Sequence, residues 1–215
     1  DRVQYESAAK NTHQDIAIRY EHTLGNWDVG LAHFSGTSRE PIFLNTTNQS
    51  GAAILTPYYH LIDQTSLDLQ YTFEGLLLKG EFLTRDGHGK RFEAMATGVE
   101  YSFYGLLDSN IDVGILVEYH RDNRDASAPT TILDNDAFIG TRIAFNNISE
   151  SQILAGVMVD TNSKTRFYSA EASHRLNNNW KIEMDMRLYG HVKTGTVEFG
   201  SKKDDHVQIR LTRYF

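Results

Sequence analysis

The chain has 215 residues, enough for one sizeable domain or one barrel. It has no cysteine, which excludes a disulfide framework and a thiolate metal site and suits an oxidising compartment. A net charge of −7 gives no general affinity for nucleic acid, and no apolar run reaches the roughly 18 residues of a membrane helix.

A two-residue alternation runs through nearly all of the sequence. Residues 2–8, RVQYESA, put only Val3 and Tyr5 on an apolar face. Residues 13–22 give a polar face carrying Asp15, Arg19 and Glu21. Residues 27–35 open on Trp27 and contain HFSG, with His33 and Ser35 two apart on one face. After a long connection, 58–73 sets Leu67, Leu69, Tyr71 and Phe73 against Ser66, Asp68, Gln70 and Thr72. Residues 76–85 place Lys79, Glu81 and Arg85 on the polar face, and 92–104 place Glu100 there with Phe103 opposite.

Residues 111–121 oppose Ile111, Val113, Ile115, Val117 and Tyr119 to Asp112, Gly114, Leu116, Glu118 and His120. Residues 136–146 carry Arg142 on the polar side and Phe145 on the apolar side, and 151–161 end near a polar Asp160. Residues 166–176 carry Glu171 and Arg175 on one face. Residues 179–190 set Trp180, Ile182, Met184, Met186 and Leu188 against Lys181, Glu183, Asp185 and Arg187. The last segment, 204–215, alternates Val207, Ile209 and Leu211 with polar positions that include Arg210, and ends on Phe215. No amphipathic helix is expected. The prolines, at 41, 57 and 129, avoid the strand interiors, as ladder hydrogen bonding requires.

Alternation alone fits a soluble sandwich as well as a membrane barrel. Three features favour the barrel. Many segments run to about 10 residues, a bilayer crossing for a tilted strand, against about 5–6 in soluble sheets. The polar faces are densely charged, which suits a wet lumen with apolar side chains turned to lipid. The connections alternate in length. Those at 23–26, 74–75, 105–110, 147–150 and 177–178 are short and are assigned to the periplasmic side. Those at 9–12, 36–57, 86–91, 122–135, 162–165 and 191–203 include the three longest and are assigned to the outside. With that orientation Trp27, Phe73, Phe103, Phe145, Trp180 and Phe215 all face lipid at the periplasmic boundary, half of an interfacial girdle. The expected fold is all-β, an antiparallel up-and-down transmembrane β-barrel of about twelve strands, in one domain spanning 1–215.

The final strand resembles the terminal strand of Gram-negative outer-membrane β-barrels, in Val207, Ile209, Leu211 and Phe215. Arg213 departs from that pattern, but near the strand end it can snorkel to headgroups. The stretches GNWDVGLAHFSGTSREPIFL, LDLQYTF, GVEYSFYGLLDSNIDVGILVEY and RYF also resemble poorly characterised porin-like proteins of proteobacteria. The resemblance implies the bacterial outer membrane, contact with its lipid and lipopolysaccharide, and reading of the last strand by the barrel-assembly machinery. The start leaves two alternatives. Either the barrel closes on a short first strand, or the chain is the C-terminal part of a larger barrel, and the weak 2–8 segment inclines to the second.

The charged positions of the polar face are then lumen-lining. They form either a neutralising ladder that fills a narrow barrel or a polar pore whose opposed charges orient a solute. The expected function is passive diffusion of small hydrophilic solutes. The alternative is a non-conducting surface barrel that binds lipopolysaccharide or partners through its loops. The 36–57 loop reads as a strand extension capped by a turn rather than a constriction, and Asp122, Arg124 and Asp125 as an ordinary charged loop rather than a calcium or lipopolysaccharide contact. His33 and Ser35 are similar to the His-x-Ser pair of outer-membrane phospholipases and lipid A deacylases. Those families carry a third residue, Asn or Glu, on the next strand about a dozen residues later. Here Asn45 and Asn48 fall in the long loop instead, so catalysis is not expected. No metal or cofactor is expected either.

Overall fold

In the computed structural model, residues 3–215 are described; Asp1 and Arg2, where the expected first strand begins, lie outside the described residues. The chain is all-β. In order, the strands are β1 (Gln4–Tyr5), β2 (Ile16–Leu24), β3 (Trp27–Thr37), β4 (Ile42–Thr47), β5 (Ala53–Tyr59), β6 (Leu61–Phe73) and β7 (Leu76–Asp86). They continue as β8 (Phe92–Phe103), β9 (Asp112–Asp122), β10 (Asn135–Ala144), β11 (Gln152–Asp160), β12 (Arg166–Asn177), β13 (Trp180–Gly190) and β14 (His206–Arg213). The helical pieces are three 3-10 turns in connections. Eleven strands form one sheet in the order β14-β13-β12-β11-β10-β9-β8-β7-β6-β3-β2, and β1, β5 and β4 form a second. Among the described residues no ladder joins β2 to β14, so both are edge strands.

The first expected strand is corrected. Only Gln4 and Tyr5 are extended, and they pair in parallel with Tyr58 and Tyr59 of β5, outside the large sheet. The large sheet therefore has eleven strands rather than twelve. The physical reason is local. Two apolar residues cannot pay for a long ladder, and Ser7 turns the chain by accepting the Ala9 N–H at 3.2 Å and bonding His13 Nδ1 at 2.9 Å. The 36–57 connection also has structure of its own, the β4–β5 hairpin. Its turn is held by Asn48 Oδ1, which accepts the N–H groups of Ser50 at 3.0 Å and Ala52 at 2.9 Å.

Elsewhere the strands follow the alternation closely, because each β-branched or aromatic residue gains by standing on the same side as its cross-strand neighbour. Opposed pairs such as Val113–Ile143, Val117–Ile139, Ala170–Met186 and Met184–Ile209 carry the apolar side across successive ladders. At the two-residue turn 74–75, Gly75 accepts the Ser102 N–H at 2.8 Å and lies too close to the Ser102 carbonyl to carry a Cβ.

By contact density the chain divides into two units. The first comprises 1–69, 81–95 and 122–131, the second 70–80, 96–121 and 132–215. The first unit contains the tightest packing. Phe92 (2% exposed) lies under the guanidinium of Arg124, 4.8 Å from its ring centre, with that of Arg85 at 5.6 Å, while His88 (1% exposed) packs edge-on to His60 with ring centres 5.0 Å apart. This core is built from loop and strand-end residues. The strands themselves leave large apolar side chains open: Ile16 is 70% and Ile18 68% exposed in the first unit, Ile209 67% and Ile139 55% in the second.

Candidate functional site

The charged face of β10–β14, in the second unit, is the densest constellation of ionisable groups. Strand alternation puts Glu171, Lys181, Glu183, Asp185, Arg187 and Arg210 on one side, and the register brings them opposite one another. Glu171 faces Asp185, Arg175 faces Lys181, and Glu183 faces Arg210. Two adjacent carboxylates would repel, and Arg187 resolves this by reaching both, 2.5 Å from Glu171 and 2.8 Å from Asp185. His206 adds a third contact, Nε2 to Asp185 at 3.5 Å. Lys181 bonds Glu183 at 2.8 Å. Glu171, Lys181, Glu183, Asp185 and Arg210, with Arg142, line an open recess of about 420 Å³. Arg210 borders it without a described ion pair and is the least neutralised cation there.

The same face continues along β7–β10 in that unit. Lys79 Nζ donates to Glu118 at 3.0 Å, and Arg142 Nε stands 3.4 Å from Glu100. Arg19 and Asp68, both in the first unit, pair at 2.7 Å, with Glu21 on the other side of the same guanidinium. Arg85, also in the first unit, donates to Gln64 at 2.7 Å and pairs with Glu40 at 3.2 Å. Partly exposed pairs like these contribute only about 0–1 kcal/mol each. Their main effect is to cancel charge along the face and fix where the polar atoms point.

Three of the residues read as lumen-lining spend their side chains on turns, and a fourth has no described ion pair. Asp112 accepts the Gly105 N–H at 2.9 Å and an Asn146 amide N–H at 2.7 Å, holding two turns together. Asp160 accepts the N–H groups of Asn162 and Ser163 at 2.7 and 3.0 Å, shaping the β11–β12 turn. Arg175 keeps its place opposite Lys181 but sends its side chain to Glu150 in the 145–151 turn, at 3.2 Å, with its guanidinium 5.6 Å from the Tyr214 ring centre. Glu81 is exposed and has no described ion pair.

Of the apolar residues on this face, the alternation had already placed Leu116 there, but not Phe138. The ring of Phe138 lies over both Gly140 and Gly156, which are partners across the β10–β11 ladder. A Cβ on Gly140 would meet the ring at 2.7 Å. Leu116, also on the charged side, is buried. The clue was present in the glycines on the polar side of β8, β9, β10 and β11: Gly98, Gly114, Gly140 and Gly156. Each lies under a large neighbour, Glu118, Glu100 or Phe138.

Comparison with family models, with curated proteins and with solved structures gives no match to this chain. Geometry therefore carries the functional argument. His33 does not bond Ser35. Its Nδ1 bonds Thr65 Oγ1 at 3.0 Å, and its Nε2 lies 4.0 Å from Asp63, both on β6. The serine–base contact of a hydrolase is not formed.

In the loops of the first unit, Arg124 is spent on Asp122, with Nη2 to Oδ2 at 2.6 Å, and on the Pro129 carbonyl at 3.0 Å. Asp125 caps the Ser127 N–H at 2.9 Å, which with the Ser127 hydroxyl holds its carboxyl below the usual range. His88 has both ring nitrogens buried and unpartnered, and burial pushes its pKa down to about 4, with His60, Arg85 and Arg124 adding to the effect. The aromatics Trp27, Phe73, Phe103, Phe145, Trp180 and Phe215 each stand at or just beyond a strand terminus beside a short turn or the chain end.

Proposed function

We propose that this chain is a porin-like β-barrel of the Gram-negative outer membrane that lets small hydrophilic solutes diffuse passively along its charged face. The observation that carries the reading is the inversion of ordinary surface chemistry. Carboxylates and guanidinium groups are paired with each other on one side of the strands. Isoleucine, valine, leucine and aromatic side chains stand exposed on the other, among them Ile16, Ile18, Tyr20, Val207 and Ile209. An exposed apolar face of this kind, present in each unit, is a liability in water and the required surface in hydrocarbon. Hydrocarbon also forbids unpaired strand edges. On this reading neither the edge of β2 nor that of β14 stays unpaired in the membrane.

On this reading the short connections are periplasmic, the aromatic strand ends mark the inner boundary, and lipid and lipopolysaccharide surround the outer face. The terminal strand, through Val207, Ile209, Leu211 and Phe215, is the segment presented to the barrel-assembly machinery. Planar-bilayer recording with the purified protein tests the pore: discrete conductance steps are expected, and a folded, inserted barrel that stays silent refutes it. The second reading, a non-conducting surface barrel, is favoured by one observation. Phe138 and Leu116 occupy space on the charged side that a wide pore would leave to water.

A further inference from the structure

The apolar face of the second unit has a cation at its border whose partners are aromatic rings instead of carboxylates. Arg213 lies directly opposite Trp180 in the β13–β14 ladder. Its guanidinium carbon is 5.6 Å from the Trp180 ring centre and 4.8 Å from that of Phe215. No described carboxylate pairs with it, so its fork of N–H donors stays available for an acceptor. Beside it is a polar recess of about 420 Å³ lined by Arg213, Trp180 and the 177–179 turn. On the same side of the same two strands, the next cross-strand pairs are Ile182–Leu211 and Met184–Ile209. There a second recess of about 330 Å³ is lined chiefly by Phe145, Ile153, Ala172, Ile182, Met184 and Ile209. Two residues along a strand span about 7 Å, on the order of the glycerol unit separating a lipid phosphate from its acyl chains.

We propose that Arg213 and Trp180 bind the phosphate of a glycerophospholipid, with an acyl chain in the groove beneath Ile182, Met184 and Ile209. This rests on the membrane reading above and adds to it one discrete lipid site. The rings hold the guanidinium in place by cation–π contact, so its order is already established before the lipid arrives. A phosphate then takes two parallel N–H donors, which a solvated lysine would not present in fixed geometry.

The chain has two tryptophans, so Trp27→Phe leaves Trp180 as the only indole and Trp180→Phe leaves Trp27. Each single-tryptophan protein, in detergent micelles, is titrated with phosphatidylglycerol brominated on its acyl chains, and fluorescence quenching is read. Saturable quenching of Trp180 at lower lipid than Trp27 is expected. Arg213→Gln raises the half-saturating lipid about tenfold, and Arg213→Lys, which retains the charge, by less. Inorganic phosphate does not compete. If Trp27 and Trp180 quench alike and Arg213→Gln and Arg213→Lys change nothing, the lipid is only a surrounding layer; the site is refuted while the membrane reading stands. If phosphate displaces the lipid at equal concentration, the site binds a free anion and the lipid assignment falls. If neither tryptophan is quenched, the membrane reading fails and takes the site with it.

Discussion

Single residues on the charged face do two separable jobs, filling space and cancelling charge. Phe138 lies flat because Gly140 and Gly156 give its ring room. Gly156→Ala is expected to destabilise the protein by about 1–3 kcal/mol, through the displaced ring. Urea unfolding in detergent checks this, and the part of the cost owed to the ring should vanish in a Phe138→Ala background, leaving the part owed to the Ile139 carbonyl, 2.8 Å from the new Cβ. If Phe138 narrows a pore, Phe138→Ala also raises single-channel conductance. Arg187 cancels charge. It is the contact common to Glu171 and Asp185, so Arg187→Gln leaves two carboxylates facing each other. On the pore reading, reversal potentials across a salt gradient shift toward cation selectivity. An unchanged potential would place these charges off the conduction path. The acidic and basic positions were legible in the sequence because alternation fixes which side they take. Their pairing was not: Arg187 meets Glu171 across a ladder, and the register of that ladder depends on where the intervening turn falls.

The elements differ in how much of them the local sequence encodes. Strands β6 through β14, 8 to 13 residues long, satisfy their own alternation over several two-residue repeats, so their limits are readable to within one to three residues. Strand β1 has too few apolar residues to do so, and its place beside β5 is set by the hairpin of the long connection. The loop core is less legible still, since His60, His88, Phe92 and Arg124 come from three separate connections or strand ends. It carries a pH prediction. His88 is neutral when packed against His60, Arg85, Glu40 and Arg124, with its pKa lowered from 6.5 to about 4. The unfolded or detached loop takes up a proton first, so the packing is fully stable above about pH 6.5. It weakens as pH falls through the window down to about 4, by up to roughly 3 kcal/mol. Protection of the amides in 87–91 and 122–131, measured as exchange relative to each amide's intrinsic rate at the same pH, should fall between pH 7 and pH 5, and His88→Asn should remove most of that dependence. The last strand carries a different prediction. If the assembly machinery reads its aromatic end, Phe215→Ala lowers the amount of protein folded into the outer membrane several-fold, while refolding in detergent is little changed.

At the scale of the whole molecule the deciding quantity is the solvent the apolar faces require. The reading proposed here needs detergent or lipid for a folded, monodisperse protein; a compact monomer in plain buffer would overturn it together with the orientation and the pore. The sequence by itself determined that the chain is all-β, which residues share a side of each strand, and where most strands begin and end. Those are short-range properties, fixed by a period of two and by turn chemistry. Only the tertiary structure decided that the first segment leaves the large sheet, that the long connection is a hairpin, that Phe138 fills a glycine gap, and that Arg213 stacks between aromatic rings. Each depends on contacts between residues distant in the chain, whose register no local pattern can set.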